Sequence, residues 1–119
     1  MHELTITQNV LDIVLEHAQE AGATKVNRID LVIGEMTGVV EDCVRFYMGV
    51  IAKGTAAEEA ELVVHHVPTT ARCQECSADF EVRDFVWTCP CCQSTRSEVI
   101  GGKELFVKSI EVNDAPENT

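Results

Sequence analysis

Apolar residues at Ile6, Val10, Ile13, Val14 and Ala18 recur at helical spacing, so the first stretch of the chain predicts an amphipathic helix. Thr5-x-x-Gln8 has the form of a capping box at its start, and Gly22 supplies a stop. The period then drops to two. Ile29, Leu31 and Ile33 alternate within residues 25–33, which predicts a strand carrying all three on one face. Helical spacing returns at Val40, Val44, Met48 and Ile51, with Tyr47 alongside and an end near Gly54. Residues 61–67 and 104–112 read as two further strands. This order predicts an α+β fold: a small three-stranded sheet, mixed or antiparallel, with two helices on one face.

Between the second and third of these strands the apolar pattern thins. Residues 70–101 contain Phe80, Val82, Phe85, Val86, Trp87, Val99 and Ile100, too few for an independent core. They also contain Cys73-x2-Cys76 and Cys89-x2-Cys92, two pairs whose spacing suits the four corners of a tetrahedral ion. Thiolates favour zinc there. Metal binding supplies on the order of 10–16 kcal/mol in small zinc-finger peptides, enough to replace a missing core. A closed four-thiolate shell leaves no position for a substrate, so the expected role of the metal is structural. Cys89-Pro90-Cys91-Cys92 places three thiols on one turn, and either Cys91 or Cys92 can complete the set. The x2 spacing of the first pair favours Cys92. The sixth cysteine, Cys43, lies among apolar residues of the second helix and reads as a small buried hydrophobe.

Charge limits the partners. Nine Lys and Arg face twenty Asp and Glu, a net charge of −11. Many zinc ribbons bind nucleic acid, but Arg72, Arg83 and Arg96 are outnumbered by Glu75, Asp79, Glu81, Asp84 and Glu98, leaving no basic stripe to meet phosphates. Cations and basic proteins are the expected partners. At 119 residues the chain suits one domain, or a compact domain carrying a small inserted module. No secretory or membrane-spanning apolar run appears, so a cytoplasmic location is expected. Paired cysteines in that compartment indicate metal or redox chemistry rather than a disulfide framework.

The remaining chemistry lies at the start. In Met1-His2-Glu3, the α-amine and the His2 amide nitrogen close a five-membered chelate ring on one metal. The His2 amide and its imidazole Nδ1 close a six-membered one. The Glu3 amide nitrogen would complete a square plane, a geometry suited to Ni(II) or Cu(II). Other histidines read as ordinary. His17 falls on the polar edge of its helix, and strand pleating sends His65 and His66 to opposite faces. The Glu58, Glu59 and Glu61 run reads as solvated.

Met1-His2-Glu3-Leu4, Ile33-Gly34, Arg45-Phe46-Tyr47, Gly54-Thr55, the cysteine ribbon with Pro90 and Ser94, Gly102-Lys103-Glu104-Leu105 and Ser109-Ile110-Glu111 occur together in that order. Taken together, residues 1–113 resemble the HypA family of hydrogenase maturation factors. The resemblance implies a nickel metallochaperone rather than an enzyme. It further implies a Ni(II) site formed by Met1, His2 and Glu3, and a structural Zn(II) held by Cys73, Cys76, Cys89 and Cys92. The implied partners are a nickel GTPase of the HypB type and the [NiFe]-hydrogenase large-subunit precursor. Cys91 departs from the family pattern. The expected organisation is a nickel-binding domain at 1–69 and 102–113, a zinc-ribbon domain at 70–101, and a flexible tail at 114–119. A protein-binding zinc-ribbon adaptor is the alternative. A thiol oxidoreductase is a weaker one, because the chain lacks the βαβ pattern such enzymes place beside a single C-x2-C.

Overall fold

The computed structural model describes residues 3–113. Along the chain run helix α1 (Glu3–Glu20), strand β1 (Val26–Gly34), a 3-10 turn (Glu35–Thr37), helix α2 (Glu41–Ile51), and strands β2 (Glu61–Val67), β3 (Thr70–Cys73), β4 (Asp79–Glu81), β5 (Ser97–Gly101) and β6 (Leu105–Val112). They form two three-stranded sheets, ordered β2-β1-β6 and β4-β3-β5. The expected α+β fold with two helices and a three-stranded sheet is present, and the cysteine-bearing segment adds a small sheet of its own. The chain divides into two compact units. Among the described residues, one comprises 3–32, 39–65 and 106–113, the other 33–38 and 66–105.

In the first unit, Val10, Leu11, Val14 and Ala18 of α1, Val44 and Met48 of α2, Val26, Ile29 and Leu31 of β1 and Leu62 of β2 are buried. The stripe on α1 is centred differently from the expected one. Thr7 and Leu11 are buried, whereas Ile13 is exposed and Ile6 only half-buried. The capping box does not form either. α1 is already helical at Glu3, which places Thr5 inside it, and Gln8 donates to Asp12 Oδ1 instead of reaching back. Thr7 turns its hydroxyl onto the Glu3 carbonyl at 2.6 Å, which satisfies a buried polar atom within the helix. The C-terminal stop is as expected. Gly22 has φ 71°, its N–H donates to the Gln19 carbonyl, and Ala23 N–H donates to that of Ala18, the paired bonds of a Schellman motif.

α2 begins at Glu41, so Val40 is its exposed N-cap position rather than a core residue, and Cys43 is half-buried rather than fully buried. Arg45 ties the helix to β2 by donating to the Leu62 carbonyl at 2.8 Å. Among the described residues no helix is long and apolar enough to cross a membrane.

In the second unit the buried apolar positions include Ile33, Ala71, Cys73, Val82 and Cys89, a thin core for residues 33–38 and 66–105. Its sheet pairs β3 antiparallel to both β4 and β5.

Candidate metal centre

Each cysteine pair is built as the same small knuckle. In the first, Cys73 N–H donates to the Ala78 carbonyl at 2.8 Å and Ser77 N–H donates back to the Cys73 carbonyl at 2.9 Å. In the second, Cys89 N–H donates to the Ser94 carbonyl at 2.9 Å and Gln93 N–H to the Cys89 carbonyl at 2.8 Å. The residue after each pair, Ser77 or Gln93, takes a left-handed φ, 66° and 64°, which folds the chain back on itself. Inside the loops, Glu75 N–H points at Cys73 Sγ and Cys91 N–H at Cys89 Sγ, both at 3.4 Å.

This equivalence separates the two competing cysteines. Cys91 occupies the slot of Glu75, where the backbone amide serves the knuckle and the side chain is exposed. Cys92 occupies the slot of Cys76. The sulfurs of Cys73, Cys76, Cys89 and Cys92 all lie within 4.8 Å of one another. Cys73 and Cys92 are 3.5 Å apart and Cys76 and Cys89 3.6 Å, too far for disulfides and close to the edge length of a tetrahedron of thiolates about 2.3 Å from a central ion.

The electrostatics also fit a cation. The Cys92 and Cys91 amides hold the Cys89 thiol down at about 6. The Cys76 amide, with that of Glu75, lowers Cys73. For Cys76 the Ala78 amide favours the thiolate, but the nearness of Cys89 and burial outweigh it and the value rises. At Cys92 the Ser94 amide is likewise outweighed by the Cys73 sulfur, burial and the other thiols, which push it to about 12. Two of the four sulfurs are therefore poised to ionise, and the other two are held back by crowding. A dication at their centre would let all four ionise.

Met1 and His2 lie outside the described residues. Glu3 opens α1, and its carboxylate accepts the Val40 N–H at 3.2 Å at the start of α2, whose own N-cap residue offers no side-chain acceptor. The Glu3 carboxylate is thus engaged with the second helix.

The structure also assembles a polar group that the pattern of apolar residues did not single out. Asp30, flanked by Ile29 and Leu31 on the central strand, is only 6% exposed. Arg28 grips it through Nη2 at 2.9 Å and Nε at 3.1 Å, His65 Nε2 lies 2.8 Å away on β2, and Ser109 donates from β6 at 3.2 Å. The hydrogen bonds from Arg28 and then His65 hold the Asp30 carboxyl down at about 2. A carboxylate between two large aliphatic residues of a predicted strand was the available signal. Its partners lie on three strands and carry no shared sequence pattern. His17 is exposed beside Glu20, as expected for a surface residue.

A family model described as hydrogenase/urease nickel incorporation, metallochaperone, HypA, matches residues 1–112. A hydrogenase maturation factor HypA of Dehalococcoides mccartyi is 41% identical over 119 residues, covering all of both chains. That of Chlorobaculum tepidum is 38% identical over 112 residues, covering 94% of this chain and 99% of its own. The solution structure of the Ni metallochaperone HypA from Helicobacter pylori has the same fold, with a TM-score of 0.67 at 22% identity over 96% of this chain and 99% of that one. A second solution structure of a HypA protein gives a TM-score of 0.71 at 22% identity, over 95% and 97% of the two chains.

Proposed function

This chain belongs to the HypA family of hydrogenase maturation nickel metallochaperones, and from that premise we propose that it carries Ni(II) at Met1, His2 and Glu3 and delivers it to the [NiFe]-hydrogenase large-subunit precursor. The observation that carries this reading is the family match over residues 1–112, which begins at the chelating triplet itself. The Glu3 carboxylate is engaged at Val40, which supports its main-chain nitrogen rather than its side chain as the donor in this reading. Main-chain amides and one imidazole can leave a metal singly, which suits cargo that must be released. Amide ligands bind only when deprotonated, so nickel affinity falls in acid.

Cys73, Cys76, Cys89 and Cys92 hold Zn(II) in this reading. When bound, the ion neutralises crowded sulfur and closes the thin core of the second unit. The protein's own contribution is the pair of knuckles, which aim amides at Cys73 and Cys89 and fix the four sulfurs at one point. The role is carriage, with no catalytic step: a closed four-sulfur shell leaves no coordination position for a substrate. A HypB-type GTPase is the proposed partner in the transfer, and the cytoplasm the proposed location. Resting on the same four cysteines, an adaptor without nickel remains the competing reading, and the terminal site discriminates between them.

Metal analysis and nickel titration of tag-free wild type beside His2→Ala provide the test. Equal zinc in both proteins, with the nickel site lost only from His2→Ala, is the expected result. Equal nickel binding by the two would refute the terminal site and leave the adaptor reading in front.

A further inference from the structure

One turn in the second unit is built against local preference. Val86 N–H donates to the Arg83 carbonyl at 2.9 Å and the two residues pair as an antiparallel bridge, leaving Asp84 and Phe85 as the centre of a two-residue hairpin turn. Both have left-handed φ, 55° and 61°. Such turns favour Asn-Gly, because a side chain crowds the backbone there, and a bulky aromatic at the second position is rare. Packing does not compensate, since Phe85 is 91% exposed and Val86 56%. A large ring held in water on a strained backbone weakens the free protein on both counts. Its natural use is contact with something outside the chain.

The chemistry beside the turn indicates what that is. A cavity of about 760 Å³ adjoins it, where Met36 and Trp87 offer apolar surface and Glu35, Glu81, Asp84 and Arg83 the charges. Three carboxylates face one guanidinium, and Arg83 is already paired with Glu81 at 2.6 Å. The Thr69 side chain, and then its N–H donating at 3.0 Å, hold the Glu35 carboxyl below its ordinary value. With a net charge of −11, a second copy of the chain would be repelled, as would nucleic acid or anionic lipid. We propose that the Asp84–Phe85 turn and this acidic cavity form a docking surface for a basic segment of another protein, with Phe85 entering an apolar pocket and the carboxylates receiving Lys or Arg. This surface is independent of the nickel reading.

Short random peptides displayed on phage, selected against the full chain purified with zinc, are the probe. Recovered peptides would then be titrated against wild type, Phe85→Gly and Phe85→Asn. The expected peptides combine Lys or Arg with bulky apolar residues, bind both variants at least about tenfold more weakly, and weaken with added salt. Gly and Asn both tolerate left-handed φ, so the variants should melt at or above the wild-type temperature, which separates lost docking from lost folding. Peptides that bind the variants as tightly as wild type, or selection that yields no basic sequences, would overturn the proposal. Phosphatidylserine vesicles binding wild type but not Phe85→Gly would also overturn it and reassign the turn to membranes.

Discussion

Asp30 shows how much one side chain can depend on its neighbours. It lies on the central strand, nearly buried, with Arg28, His65 and Ser109 each donating to it or lying within hydrogen-bond reach. Its carboxyl is held at about 2, below its ordinary 3.8, so it is ionised more readily folded than unfolded. The stability it contributes is therefore fully present above about pH 4 and is lost as pH falls through 2. Asp30→Asn should lower the melting temperature at neutral pH by several degrees. It should also flatten the decline between pH 4 and 2 relative to wild type, as followed by thermal melts across that range. At the cysteines, the knuckle equivalence separates two adjacent thiols with opposite outcomes. Cys91→Ser, in the slot of Glu75, should leave zinc content unchanged. Cys92→Ser, one of the four converging sulfurs, should lose zinc, as read by metal analysis after desalting. Neither distinction was fully available from residue order. The x2 spacing favoured Cys92, but only the folded loop shows that the residue at Cys91 serves the knuckle through its amide.

At the scale of elements, the backbone at the end of β1 is closely hemmed in. Gly34 N–H donates to the Glu104 carbonyl at 2.6 Å and Met36 N–H to that of Gly102 at 2.7 Å. A Cβ on Gly34 would overlap the Gly102 carbonyl and press on the Glu104 nitrogen at 2.7 Å, all of it backbone that cannot turn aside. Gly34→Ala should therefore cost about 1–3 kcal/mol in chemical denaturation, as overpacked sites do. β1 was legible from the alternation of Ile29, Leu31 and Ile33, a property of the strand alone. The burial of its other face, where Asp30 and Val32 are each 6% exposed, was decided by packing. The start of α1 was less legible. Thr5 and Gln8 have the right identities for a cap, yet helix continues back to Glu3, and Gln8 finds Asp12 one turn on. Composition near a helix end specifies a set of possible caps, and competition among side chains selects one.

The whole molecule comprises one unit with an aliphatic core and one whose thin core carries four converging sulfurs. α1 and α2 belong to the unit with the larger core, whereas Trp87, the sole tryptophan, belongs to the unit with the four cysteines. Stripping metal with a chelator should shift Trp87 fluorescence toward that of an exposed indole while most of the helical circular dichroism persists. Returning zinc should reverse the change. Simultaneous loss of both signals would show that the helical unit depends on the metal as well. From the sequence alone came the helical and strand periods, the acidic balance and the two C-x2-C pairs. The periods and the cysteine pairs are carried by residues close together in the chain, where local spacing is enough to fix them, and the charge balance is a sum that needs no fold. The tertiary structure decided what joins distant residues: which carboxylate is buried across three strands, how the two knuckles converge on one point, and which turn is forced into left-handed backbone. Those depend on loop closure and on the packing of elements far apart in sequence, where the identity of a residue does not by itself specify its partner.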